Sequence, residues 1–232
     1  MTPQPVGLSP RPSGGAATPL RPGRRQHRSE PGSRIGPAAT VVATTALVSS
    51  ALYFLSDVIE VVQGGFSVGQ LWLTLAAESA IPIFVVGLTI LCRRRLGRLG
   101  LVSAVAYAYS YVVFAWTVVY AMVDHTKDYK TLNDHLGTLM IAHGAIMVLA
   151  GLGFGYTMFR TGLLPAWTGL SLMVGVVLVA GAQGLPDGAQ LVAAGVRDLG
   201  FAGMGAALLR TPRATTAARP DPVAATSAGR AK

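Results

Sequence analysis

Residues 69–92 read GQLWLTLAAESAIPIFVVGLTILC, a run of twenty-four positions in which Glu78 is the only ionisable acid or base apart from Cys92. The apolar residues neither alternate at strand period nor recur at the spacing of a half-buried helix. They run together, and at about 1.5 Å per residue such a run crosses roughly 30 Å of hydrocarbon as a helix. Inside hydrocarbon each backbone N–H and C=O must find its partner within the segment, so the run is helical. Short alternating strands, as a membrane barrel needs, are absent from the sequence.

Five further runs of the same kind flank it. The spans fall at about 37–60, 69–92, 100–123, 135–159, 163–184 and 189–209. The expected fold is therefore all-α, a polytopic transmembrane bundle of six helices. The whole chain agrees: 51% of it is hydrophobic, 12% is charged and its mean hydropathy is +0.50, values that few water-soluble domains reach. Three regions result. Residues 1–36, rich in Pro, Gly, Ser and Arg, form a disordered basic tail; residues 37–209 form the membrane domain; residues 210–232 form a second disordered tail. A secretory signal is the rival for the first apolar run, but that run continues from Ala38 through Leu55 and is long enough to span.

Charge sets the topology. Of nineteen Lys and Arg residues, sixteen fall on one side: six in the N-terminal tail, Arg93, Arg94, Arg95 and Arg98, Arg160, and five from Arg210 onward. The other side carries Lys127 and Lys130, offset by Asp124, Asp128 and Asp134. Six crossings with both ends in the cytoplasm of a bacterial cell, in its inner (plasma) membrane, satisfy this tally. The net charge of +9 is thus topological, and nucleic acid is not an expected partner. The bilayer is. One cysteine, Cys92, excludes an internal disulfide.

Ionisable groups at membrane depth cost roughly 2.5 to 3.5 kcal/mol at a helix centre and are normally turned inward and paired. Glu78, His143, Arg197 and Asp198 stand out. Counted from the outer ends of the second, fourth and sixth spans, Glu78, His143 and Arg197 lie at one depth, and Tyr107, Ser110 and Tyr111 of the third span join them in an expected midplane polar layer. Neighbours in sequence point about 100° apart on a helix, so Arg197 and Asp198 are expected to leave each other partly uncovered. Glu78 is then the expected counter-charge of Arg197, and Asp198 turns to His143 or to a tyrosine of the third span. Asp57 and Glu60, near the outer end of the first span, form the rim of a cavity. Pro82 cannot donate to the carbonyl of Glu78, which places a kink and a free acceptor beside that carboxylate.

Ala77-Glu78-Ser79-Ala80-Ile81 aligns with Ala142-His143-Gly144-Ala145-Ile146, and Val196-Arg197-Asp198 lies at matching depth. This frame makes the second, fourth and sixth spans an internal repeat that donates one ionisable residue each to a shared centre. Gly151 and Gly155 form a GxxxG pair suited to close helix approach. Asp124, His125, Asp128, Asp134 and His135 are metal-ligand types without a recognised spacing, so neither a metal nor another cofactor is expected.

From Ser56 to Arg210 the chain resembles a group of uncharacterised six-helix membrane proteins of high-GC bacteria. The resemblance rests on Ser56-Asp57-Val58-Ile59-Glu60, on Gly162 to Gly169 (GLLPAWTG) and on Val196 to Gly203 (VRDLGFAG). It implies the six-helix topology and brings no activity or catalytic residue. The expected function is non-enzymatic, a small carrier or an accessory membrane subunit. The alternative is a membrane-embedded enzyme that takes a lipid, isoprenoid or other apolar small molecule, with Glu78 or Asp198 as general acid.

Overall fold

The computed structural model describes residues 36–210. They form seven helices and, among the described residues, no strand: α1 (Pro37–Gln63), α2 (Val68–Cys92), α3 (Arg98–Val123), α4 (Tyr129–Leu136), α5 (Thr138–Thr161), α6 (Ala166–Gly181) and α7 (Asp187–Arg210). The two tails read from the sequence lie outside the described residues. Five helices, α1, α2, α3, α5 and α7, are long and apolar enough to cross a membrane; α6 is apolar but has 16 residues.

Local chemistry sets the ends. Pro37 opens α1 at a position where its missing N–H costs nothing. Gly64, with φ of 70°, closes it in the left-handed conformation and donates its N–H to Glu60 O. The Ser67 hydroxyl caps α2 by accepting from Gln70 N, and Asp128 caps α4 by accepting from Thr131 N at 2.7 Å. α2 runs on through Pro82 as one helix.

The expected fourth span, 135–159, is corrected. His135 belongs to the short polar helix α4, and Gly137, with φ of 41° and ψ of −112°, breaks the chain before α5 begins at Thr138. An apolar window runs through this break because Leu136, Leu139 and Met140 flank it, whereas the backbone turn rests on one glycine.

The six long and medium helices close a ring in chain order. α1 packs on α2, α2 on α3, α3 on α5, α5 on α6, α6 on α7, and α7 returns to α1. Short turns join most neighbours, so the helices alternate in direction. One end of the ring carries α4, with the α1–α2 and α6–α7 turns; the other carries Gly36 and Arg210. α2, α5 and α7 therefore alternate with α1, α3 and α6 and share no extended interface. The three-helix centre expected from the repeat does not form.

The larger apolar core fills the middle of the ring and the half towards Gly36 and Arg210, where Ile81, Phe84 and Leu88 of α2, Phe154 of α5, Leu172 of α6 and Phe201 of α7 are fully buried; a smaller apolar cluster of Leu71, Val118, Ala121 and Leu132 lies at the α4 end. Small residues bring the backbones together. A Cβ on Gly155 would stand 2.9 Å from Gly169 O, so the expected GxxxG face of α5 is where α6 crosses it.

Candidate functional site

Tyr53, Glu78 and Arg197 each lie ten residues from the α4-end terminus of their helices, Gln63, Val68 and Asp187. At about 1.5 Å per residue this puts all three about 15 Å deep. Because α1 touches both α2 and α7, Tyr53 stands between the other two. Its hydroxyl donates to Glu78 Oε1 at 2.9 Å, and the Arg197 guanidinium carbon lies 4.4 Å from its ring centroid, within the range of a cation–π contact.

Arg197 Nε also bonds Asp198 Oδ1 at 3.0 Å. The two expected pairings are thus corrected. Arg197 neutralises its own sequence neighbour, since its flexible side chain spans the angular offset between adjacent helix positions. Glu78 is answered by the Tyr53 hydroxyl, and Asp198 pairs with neither His143 nor a tyrosine. Glu78, Arg197 and Asp198 are 3%, 4% and 4% exposed. Each keeps a buried atom with no hydrogen-bond partner among the described residues: Glu78 Oε2, Arg197 Nη2 and Asp198 Oδ2, and to these Asp57 Oδ2 is added. The charges of Asp57 and Arg197 act on Glu78, and those of Arg197, Asp198 and Glu60 act on Asp57.

Tyr107 and Tyr111 lie beside this centre on α3, fully buried, with rings 5.2 Å apart and hydroxyls 3.5 Å apart. Both pack on Phe201. Ser110 is buried too, but its hydroxyl donates back to Ala106 O at 3.0 Å.

His143 stands apart. It is five residues into α5, about 7.5 Å deep, since the break at Gly137 removes the turn that would have lowered it. Its Nδ1 lies 2.9 Å from Leu139 O, which can only accept, so its Nε2 accepts from the Tyr109 hydroxyl at 3.2 Å. Tyr109 is 51% exposed on the outside of the ring. The pair fastens α3 to α5 away from the charged centre.

A polar seam continues from the centre to the α4 end. On α1, Tyr53, Ser56, Asp57 and Glu60 share a face at spacings of three and four; on α2, Gln70, Thr74 and Glu78 do the same. The two N–H groups of Gln70 Nε2 are shared among three acceptors, Ser56 Oγ at 3.0 Å, Thr74 Oγ1 at 3.1 Å and Glu60 Oε2 at 3.3 Å, and the Ser56 and Thr74 hydroxyls bond each other. Glu60 and Asp57, the expected rim, lie on this seam. At the α4 end, Phe66 N donates to Lys127 O at 2.8 Å, tying the α1–α2 turn to the α3–α4 loop. Desolvation pushes the Tyr129 hydroxyl of α4 above the usual phenol value, and the charges of Glu78 and Glu60 add to the shift. Tyr53, Gln70 and Thr74 were not singled out in the sequence. The signal available was spacing on two adjacent helices: Tyr53 lies four residues from Asp57, and Thr74 and Gln70 lie four and eight from Glu78.

His135 Nδ1 of α4 lies 3.3 Å from Asp124 Oδ2, in the α3–α4 loop. Among the described residues no group of three or more His, Cys, Asp or Glu is placed to hold a metal ion. No protein-family model matches this chain, and no curated protein or solved structure matches it.

Proposed function

We propose that this chain is a small carrier of a bacterial inner membrane, crossing it six times with both tails in the cytoplasm and the α4 end outside. The membrane domain is residues 37–209. The reading takes α6 as the sixth crossing, since α6 packs along both α5 and α7, and it accords with membership in the six-helix group that the sequence resembles. Exposed Trp72 near the α4 end and exposed Tyr156 and Trp167 near the other suit the two interfaces.

The observation that carries the carrier function is the one-sided seam. Hydrogen-bonding side chains of α1 and α2 lead from the outer end down to a charged centre about 15 Å deep, and there the apolar core of Ile81, Phe84 and Leu88 begins. A polar route that stops on an apolar plug at mid-depth is the arrangement of a binding site open to one side. Polar side chains at this depth are costly and mark solute or ion pathways.

Accessibility tests it. In a Cys92→Ala background, Thr74→Cys and Leu88→Cys are exposed in intact cells to a small membrane-impermeant thiol reagent. Thr74→Cys is expected to react and Leu88→Cys to stay silent; a silent Thr74→Cys in folded protein would mean a sealed centre and end the carrier reading.

A further inference from the structure

Within the charged centre the acids outnumber the bases. Asp57 on α1, Glu78 on α2 and Asp198 on α7 face the single guanidinium of Arg197. The other titratable groups turned to it are Glu60 on α1, which acts on Asp57, and the phenols Tyr53 on α1 and Tyr107 and Tyr111 on α3, with Tyr129 of α4 within electrostatic reach of Glu78. Arg197 and Asp198 cancel at 3.0 Å. Glu78 and Asp57 feel the Arg197 charge but form no ion pair among the described residues, and each keeps a buried oxygen that accepts no hydrogen bond from them. An isolated carboxylate in such surroundings is expensive and is relieved by neutralisation.

Two cations could do it. A metal ion takes several oxygens at once, whereas Glu78 Oε1 is already occupied by the Tyr53 hydroxyl and Arg197 brings its positive charge into the same space. A proton needs one lone pair, and Glu78 Oε2 offers it. Towards the outer end Asp57 and Glu60 follow one turn apart on α1, a series of carboxylates through which a proton can be handed from solution.

We infer that Glu78 is a proton-binding residue of the carrier, loaded and unloaded through Asp57 and Glu60 from the α4 end. This rests on the carrier reading for the side of access. On loading, a water entering along the seam carries the proton between the two acids: an O–H bond forms at Glu78 Oε2 as one breaks on that water, the water takes its replacement proton from the Asp57 carboxylic acid, and Asp57 regains its own from hydronium at the α4 end through Glu60. The neutral Glu78 then donates where it previously could only accept. That change of role at the junction of α1, α2 and α7 gives proton uptake a means to alter how the three helices hold together.

The full-length protein in lipid nanodiscs, studied by infrared difference spectroscopy between acidic and alkaline buffer, tests this. A protonated-carboxyl C=O stretch that shifts in heavy water is expected, absent in Glu78→Gln and displaced in Tyr53→Phe, which keeps the carboxyl and removes its hydrogen bond. If Glu78→Gln does not fold, the displacement in Tyr53→Phe decides alone. Spectra of both variants identical to the parent would overturn the proton site. That outcome with a reactive Thr74→Cys leaves the carrier standing, while a Glu78 band with a silent Thr74→Cys removes the carrier and keeps the proton.

Discussion

The Tyr53 ring presents its face to the Arg197 guanidinium, 4.4 Å from centroid to carbon. The same side chain gives its hydroxyl to Glu78 Oε1 at 2.9 Å. One residue of α1 therefore answers a cation on α7 and a carboxyl group on α2, using the two polarities of a phenol. This arrangement keeps Arg197 and Glu78 from forming a direct pair and makes α1 the clamp between its two neighbours.

Tyr53→Phe is expected to keep the cation–π contact and leave Glu78 without its donor, lowering stability by about 1–3 kcal/mol, the cost of an unsatisfied buried group. Tyr53→Leu loses the ring as well and should cost up to about 2 kcal/mol more. Thermal unfolding in detergent measures both. Equal losses for the two variants would show that the face of the ring contributes nothing.

Arg197 and Asp198 form the buried ion pair, so their coupling should exceed that between Arg197 and Glu78. Removing either member alone is expected to cost about 3–5 kcal/mol by stranding the other charge. A double-mutant cycle of Arg197→Met with Asp198→Asn should show a coupling of at least about 1 kcal/mol, and the cycle with Glu78→Gln a smaller one. The reverse order would mean that Glu78, and not Asp198, is the working partner of the guanidinium.

Much of this was legible in the sequence because hydrocarbon admits few backbone solutions: a run such as 69–92 has to be a helix, and Glu78 and Arg197 have to turn inward. The partners of those charges were not legible. Angular offset on an ideal helix separates Arg197 from Asp198, yet the long arginine side chain folds back across it, and such freedom leaves no mark in spacing. Tyr53 was hidden in another way, since a tyrosine in an apolar run looks like packing until the helix beside it supplies a carboxylate. His143 was misplaced by one glycine: Gly137 begins α5 later than hydropathy implies, raising the imidazole out of the layer.

Helix approach at the centre can be tested without touching a charge. A Cβ built on Gly175 of α6 collides with the backbone of Arg197, whereas one on Gly144 of α5 meets nothing within 4 Å. Gly175→Ala must push α6 off α7 and is expected to lose about 1–3 kcal/mol, as overpacking does. Gly144→Ala should be neutral or gain up to about 1 kcal/mol from the better helix former. Melting temperatures of the two variants, measured side by side, check this; a harmless Gly175→Ala would show that the helices slide apart freely at Arg197.

In the α3–α4 loop the Asp128 cap gives a pH dependence of known sign. The Thr131 backbone N–H, which donates to Asp128 Oδ1 at 2.7 Å, holds this carboxyl below the ordinary aspartate value of 3.8. A group lowered in the folded state stabilises it fully above its unfolded value, and the contribution fades as pH falls through the lower folded value. Protection of the Thr131 and Leu132 amides against hydrogen exchange should therefore be insensitive to Asp128 between about pH 5 and 7 and decline below about pH 4. Asp128→Asn caps nearly as well without titrating and should abolish that decline, while Asp128→Ala should loosen α4 at every pH by about 0.5–2 kcal/mol. If the parent instead lost protection as pH rose, the cap would not be what fixes the start of α4, and the helix over the seam would owe its position to Leu132 packed against Leu71 and Val118.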